Sequence, residues 1–328
     1  MDISRYIKNI FEIKSENDFN HLLLQAIDYQ LKNNSVYKEY YNTVNHTQFI
    51  YQNNKLPLFL PIRFFKSKTV ITGKGKIEKT FESSGTTNTI KSKHFVSNLS
   101  TYNLSLKNSF ELFFGKPSEY TYLALLPGYI ERDNASLIYM LKTLMNCSNS
   151  KHNGFYNNDF ELLKNKILEL ENSVGKYMIW GVSHSLIKFS ETYKLNINKG
   201  IIVETGGMKG IGKELIRESL HEKIKHAFGV CNVYSEYGMT ELLSQAYSKG
   251  NGLYKCPPWM KVFVREPNDP FSISSNGSGA LNIIDLANIN SCCFIETDDL
   301  ATIHPDGSFE ITGRFDYSEL RGCNLMIE

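Results

Sequence analysis

The segment FESSGTTNTIKSKHF, residues 81–95, gathers Ser83, Ser84, Gly85, Thr86 and Thr87 ahead of Lys91 and Lys93. Small residues let a backbone approach an anion closely. Their N–H groups and hydroxyls donate to phosphate oxygens, and lysines just downstream neutralise charge. The chemistry implied is that of a polyphosphate cradle. A Walker A loop would need glycine where this chain has Ile90, which sets that motif aside. Standing alone, such a stretch is more often a solvated Ser/Thr-rich turn.

It does not stand alone. VETGGMKG (203–210) follows an apolar run and brings the Gly206-Gly207 step, where a flat ring can lie against bare backbone. YSEYGMTE (234–241) places an aromatic face, a hydroxyl and a carboxylate within a few residues: Tyr237 offers a stacking surface and Glu241 an oxygen ligand for Mg2+. ETDDL (296–300) and TGRFD (312–316) add Asp299, suited to accept from ribose hydroxyls, and Arg314, suited to ribose or phosphate. In isolation each has a plainer reading: a turn, a core tyrosine, a strand-end cap, a surface ion pair.

The elements that must position these residues alternate. YTYLALLPGY then SLIYMLKTLM, KYMIWGV then SHSLIKFSETY, KGIIVETGG then KGIGKELIRESLHEKIKHAFG, and CNVYSEYG then TELLSQAY each read as strand followed by helix. Such alternation predicts an α/β fold with a mostly parallel sheet flanked by helices and ligands at the carboxyl ends of its strands. After about Gly250 the texture changes to short strands and Gly/Asn/Pro turns, a smaller β-rich section. The first sixty residues read as helices, with Phe19, Leu22, Leu23, Ala26 and Leu31 on one face. Val70 and Thr72, separated from Ile77 and Thr80 by Gly-Lys-Gly, predict a hairpin that delivers the hydroxyl-rich loop.

The 328 residues, 41% hydrophobic, suffice for a large core, and 36 basic against 34 acidic side chains leave no summed field to draw the chain onto nucleic acid. Anionic ligands must be caught locally. No apolar run approaches the ~18 residues of a membrane span, and the N-terminus lacks a signal-like core, so a cytoplasmic protein without a membrane span is expected. Six cysteines without a CxxC pair predict thiols, mostly buried, rather than a disulfide framework or a zinc site.

Taken in order, SSGTT, GG, YGMTE, TDD and GRxD resemble the motif series of the adenylate-forming enzymes. LFLPIRFFKSK, EKTFESSGTT, IVETGGMKG, YSEYGMTELLSQAYS and a terminal RGCNLM are similar in particular to the LuxE-like acyl-protein synthetases, from about residue 55 to the end. The resemblance implies an ATP- and Mg2+-dependent ligase. It would convert a carboxylic, in that family fatty, acid to acyl-AMP, pass the acyl group to its own cysteine, and deliver it to a partner such as an acyl reductase. It also implies roles. Ser83, Ser84, Gly85, Thr86 and Thr87 would form the phosphate loop, with Lys91 and Lys93 as candidates to supply compensating charge. Thr240 and Glu241 would lie by the α-phosphate and Mg2+, Gly206, Gly207, Tyr237 and Gly238 at the base, and Asp299 with Arg314 on the ribose.

Two departures stand out. The family's C-terminal lid domain is expected to be essentially absent, since twelve residues follow Asp316, and the lysine that the family usually carries shortly after GRxD is missing from GRFDYSELRGCNLMIE. Cys323 lies beside Arg321 and Gly322 in that short tail, where an arginine would raise the thiolate fraction, and the resemblance, to a family with an acyl-accepting cysteine near its C-terminus, implies that it is the acyl acceptor. The expected organisation is a helical segment at 1–55, an adenylate-forming domain at 56–312, and a truncated hinge and tail at 313–328. Aryl acids stay open as substrates, as does a separate thiol acceptor. Two rival classes also stay open: a hydrolase or acyltransferase, from the incomplete nucleophile elbow GVSHS (181–185) with His184, and a partner subunit without turnover.

Overall fold

The computed structural model describes residues 1–45, 56–84, 90–128, 133–206, 217–267 and 269–315. The chain divides into two compact units, one of Met1–Gly73 with Pro258–Glu328 and one of Lys74–Pro257.

The first unit begins with helices α1 (Ile3–Ile10), α2 (Glu16–Asn33) and α3 (Ser35–Asn45). Asp2 caps α1 by accepting the N–H groups of Ser4 and Arg5, and Ser15 with Asp18 forms a capping box at α2. α2 buries Phe19, Leu22, Leu23 and Ala26 as the spacing predicts, but its fifth buried residue is Gln30 rather than Leu31. The reason is polar: the Gln30 amide donates to the carbonyls of Ile289 and Ser291 and its Oε1 accepts from the Cys293 N–H. A short strand β1 (Leu60–Pro61) and a single helical turn α4 (Phe64–Ser67) follow. The hairpin expected around Gly73 is not there. Residues 68–78 contain no strand, and the Thr72 N–H and hydroxyl bond instead to the carbonyls of Asn290 and Ser291.

The second unit opens with the antiparallel hairpin β2 (Lys79–Glu82) and β3 (Lys93–Val96), followed by helix α5 (Leu99–Phe114). Then come β4 (Tyr120–Leu125), α6 (Ser136–Ser148), β5 (Gly154–Phe155), α7 (Phe160–Glu171), β6 (Lys176–Val182), α8 (Ser183–Thr192), β7 (Gly200–Thr205), α9 (Arg217–Phe228), β8 (Tyr234–Tyr237), β9 (Ala246–Ser248) and β10 (Tyr254–Lys255). Their sheet runs β10-β9-β8-β7-β6-β4-β5, parallel from β8 to β5 as the alternation predicts. Both faces are covered, which is why β4 is buried along its whole length. On one face α7, α8 and α9 pack Leu163, Leu186 and Ile224 against Leu123, Ile179 and Ile202. Toward the other, α5 sets Phe110 beside Tyr120 and Tyr122, and Phe113 and Phe114 beside Tyr247.

One predicted unit is corrected. TELLSQAY is not a helix after β8. It is a turn, closed by the Leu242 N–H on the Met239 carbonyl, that leads into β9 running antiparallel to β8. Burial of the cysteines is also uneven: Cys292 and Cys293 are buried as expected, while Cys231 is exposed just beyond α9.

The first unit resumes with the β-rich section: β11 (Met260–Glu266), β12 (Asp269–Ser274), β13 (Gly277–Asp285), β14 (Phe294–Ile303) and β15 (Phe309–Arg314). These form an antiparallel sheet in the order β12-β11-β13-β14-β15, with β1 added parallel to β14. No helix among the described residues is long and apolar enough to cross a membrane.

Candidate functional site

In the second unit Ser83 and Ser84, the described part of the hydroxyl-rich segment, follow directly on β2 of the β2–β3 hairpin. The β2–β3 ladder ends at Glu82 opposite Lys93 and is extended by the Ser83 N–H on the Ser92 carbonyl at 3.1 Å. The Ser92 N–H returns to Ser83 Oγ at 3.0 Å, and Ser84 is exposed beyond it. Gly85, Thr86 and Thr87 lie outside the described residues. Lys91 and Lys93 stand 3.7 and 4.0 Å from the Glu82 carboxylate. Both pairs face solvent, where such contacts contribute little, so a phosphate can compete for either lysine.

The YGMTE segment leaves the carboxyl end of β8. Tyr237 is buried, its ring edge-on to Tyr254 at 5.8 Å and its hydroxyl 3.7 Å from Met239 Sδ. Gly238 is exposed on one side and closed on the other, for a Cβ there would overlap a carboxylate oxygen of Glu236. The Thr240 carbonyl oxygen accepts from His94 Nδ1 at 2.8 Å, and Glu241 is buried. A carbonyl only accepts, so Nδ1 carries the hydrogen. Ser105 of α5 and Ser244 share a hydrogen bond at 2.9 Å. Hairpin, helix and turn are thereby one assembly. On the neighbouring strand Gly206 leaves β7 at φ +86, a conformation open to glycine; Gly207 lies outside the described residues.

Beneath this edge lie two buried carboxyl groups. Burial pushes Glu236 up to about 7, against the hydrogen bond it accepts from Thr205, and the Glu204 charge adds to the rise. Burial acts on Glu204 in the same direction but is outweighed. The His221 imidazole, with Nε2 4.0 Å from Oε2, the Ser183 hydroxyl and the Arg217 charge hold Glu204 below its ordinary value. Ser183 occupies the nucleophile position of GVSHS, yet it is fully buried and spends its hydroxyl on Glu204. His184 sits partly exposed in the first turn of α8, with burial and Lys188 lowering its pKa. This arrangement offers no activated serine, which disfavours the hydrolase reading.

In the first unit Asp299 and Arg314 are register partners on β14 and β15. Arg314 Nε is 3.8 Å from Asp299 Oδ1, and its terminal nitrogen is 4.0 Å from Asp298 Oδ2. The guanidinium is half exposed, so its donors also face solvent. Cys323 lies outside the described residues.

Among the described residues no three His, Cys, Asp or Glu side chains gather as a metal cage. Mg2+ bound through one or two carboxylates and substrate phosphates needs no such cage. Sequence reasoning singled out neither His94 of β3 nor Arg265 of β11, which is buried. His94 lay inside the quoted loop segment, and Arg265 in an alternating strand where a polar residue is expected to face water.

No protein-family model matches the chain, and no curated protein matches it either. Solved structures do. The chain is similar to an ATP-bound RpMatB-BxBclM chimera at TM-score 0.58 and 15% identity, over 74% of this chain and 48% of that one. It is similar to ATP-bound MatB from Rhodopseudomonas palustris at TM-score 0.54 and 16% identity, over 74% and 49%. The amide bond synthetase McbA from Marinactinospora thermotolerans gives TM-score 0.52 and 14% identity, over 72% and 48%. The chain thus spans about half the length of these proteins. The likeness establishes the fold, an α/β fold of the adenylate-forming type.

Proposed function

We propose that the chain is an ATP-dependent ligase that activates a carboxylic acid as its acyl-adenylate and, like the LuxE-like acyl-protein synthetases it resembles, takes the acyl group onto Cys323. The observation that carries the reading is the His94–Thr240 hydrogen bond. It joins the hairpin bearing Ser83, Ser84 and Lys91 to the turn bearing Thr240 and Glu241. The phosphate-type donors and the Mg2+-type carboxylate therefore belong to one structural assembly, on the fold of proteins solved with ATP bound.

In this reading the loop 83–87 and Lys91 hold the β- and γ-phosphates, and Glu241 with phosphate oxygens holds Mg2+, which when bound neutralises phosphate charge. Gly206, Gly207, Tyr237 and Gly238 border the base, and Asp299 and Arg314 take the ribose. A substrate carboxylate oxygen bonds to the α-phosphorus and pyrophosphate leaves; the residues act by placement and by compensating charge. The Cys323 thiolate then bonds to the acyl carbonyl carbon, AMP leaves, and the thiol proton passes to solvent. A fatty acid as substrate and an acyl reductase as recipient complete the proposal.

Intact mass after incubation with ATP, Mg2+ and a panel of carboxylic acids tests it. The expected result is one acyl adduct, labile to hydroxylamine, absent in Cys323→Ser although pyrophosphate is still released. An adduct that survives in Cys323→Ser refutes the acceptor; no adduct and no pyrophosphate with any acid refutes the ligase.

A further inference from the structure

The strand that carries Asp299 is irregular where it matters. β13 opposes Ala280 to Leu300 and Asn282 to Glu296, so between these pairs the single residue Leu281 faces Thr297, Asp298 and Asp299. On the other side Leu300 faces Gly313 and Ala301 faces Ile311, leaving Thr312 extra on β15. Asp298 and Asp299 therefore stand on a bulge, a device that re-aims side chains and interrupts the ladder. The interrupted backbone groups still need partners.

Arg265 of β11 supplies them. It is 5% exposed, in a strand where alternation would turn a charge outward. Its Nη1 donates to the Leu281 carbonyl at 3.2 Å and to Asn282 Oδ1 at 2.9 Å. Its Nη2 donates to the Thr297 carbonyl at 2.9 Å and pairs with Glu296 Oε1 at 3.3 Å. Thr297 completes the set: its hydroxyl donates to the Leu281 carbonyl at 2.8 Å, and its Oγ1 accepts the Asp299 N–H at 3.1 Å. The Phe315 N–H then holds the Asp298 carbonyl at 2.7 Å, next to Arg314.

We propose that Arg265 is a positioning residue for nucleotide binding: with Thr297 it pins the bulge that aims Asp299 at the ribose hydroxyls. The inference rests on the ribose role proposed for Asp299 and Arg314. A planar guanidinium can serve two carbonyls, an amide oxygen and a carboxylate at once, whereas an ammonium keeps the charge and loses the fork.

The test compares KM for ATP and for 2′,3′-dideoxy-ATP in acid-dependent pyrophosphate exchange. The wild-type chain prefers ATP by about tenfold or more, the worth of hydrogen bonds to a carboxylate. Arg265→Lys, and Thr297→Val as a variant that keeps the strand's shape, both bring the ratio toward one as Asp299→Asn does, through a raised KM for ATP. If Asp299→Asn erases the preference and both other variants keep it, the inference is overturned. A lowered urea midpoint with the preference intact also overturns it, by assigning Arg265 to stability alone. If Asp299→Asn itself keeps the preference, the ribose role falls first and this inference with it.

Discussion

His94 Nδ1 donates to the Thr240 carbonyl over 2.8 Å, across 146 positions of sequence, from the middle of one strand of the hairpin to the turn after β8. Both groups lie inside the second unit, and His94 is fully buried. The bond fixes the height of the Thr240–Glu241 turn relative to the Ser83–Ser84 end of the hairpin, because β3 carries the donor on a rigid ladder.

Replacing His94 by alanine leaves that carbonyl without its donor, at a cost of about 1–3 kcal/mol. His94→Ala is expected to slow adenylation at least about tenfold, whereas His94→Asn, whose amide nitrogen reaches a similar place as Nδ1, keeps most of the rate. Pyrophosphate exchange on the two variants decides it, with circular dichroism to confirm that both fold.

Glu236 makes stability depend on pH in an unusual direction. Between the ordinary 4.5 and about 7 the folded chain holds a proton on Glu236 that the unfolded chain has released. Stability therefore falls as pH rises through that window, by roughly 3 kcal/mol in all. Glu236→Gln mimics the protonated form. Urea unfolding at pH 5 and pH 7.5 should show the variant gaining on the wild type at the higher pH only.

For Glu204 the sign is opposite. Its folded value is held below the ordinary one, so its contribution is present above 4.5 and is lost as pH falls through the folded value. His221→Ala removes one of its partners and leaves a buried carboxylate poorly compensated. A loss of about 3 kcal/mol at neutral pH is expected from urea titration, and the gap to the wild type should narrow in acid.

Gly238→Ala forces a methyl group into the Glu236 carboxylate. The variant is expected to lower Tm and to slow exchange, and Glu236→Ser in the same chain should restore part of both. Rescue of Tm without rescue of exchange would mean that Gly238 serves the turn by its backbone alone.

The parts of the fold written into local pattern were legible. The apolar runs of β4, β6 and β7 and the periodicity of α6 and α8 need only their own residues to declare themselves. What depended on distant partners was not. Leu31 fits the apolar face of α2 better than Gln30 does, yet Gln30 is buried because Cys293 and Ile289 present backbone groups to it. TELLSQAY has helix-forming residues, but Ala246–Ser248 are captured as a strand by β8. The loop's hairpin was expected one element too early, because Gly-Lys-Gly is a stronger local turn signal than Lys79–Glu82 pairing with Lys93–Val96 around a longer loop. Likewise the candidate side chains Ser84, Glu241, Asp299 and Arg314 are singled out by residue type alone. His94 and Arg265 work through backbone carbonyls more than a dozen residues away, which no spacing rule reveals.

The most direct measurement is ATP–pyrophosphate exchange by the purified chain with Mg2+ and a graded set of fatty and aryl acids. The account predicts exchange that requires the acid, saturates with it, persists in Cys323→Ser and disappears in Glu241→Ala. Exchange absent with every acid, or unchanged in Glu241→Ala, would contradict it.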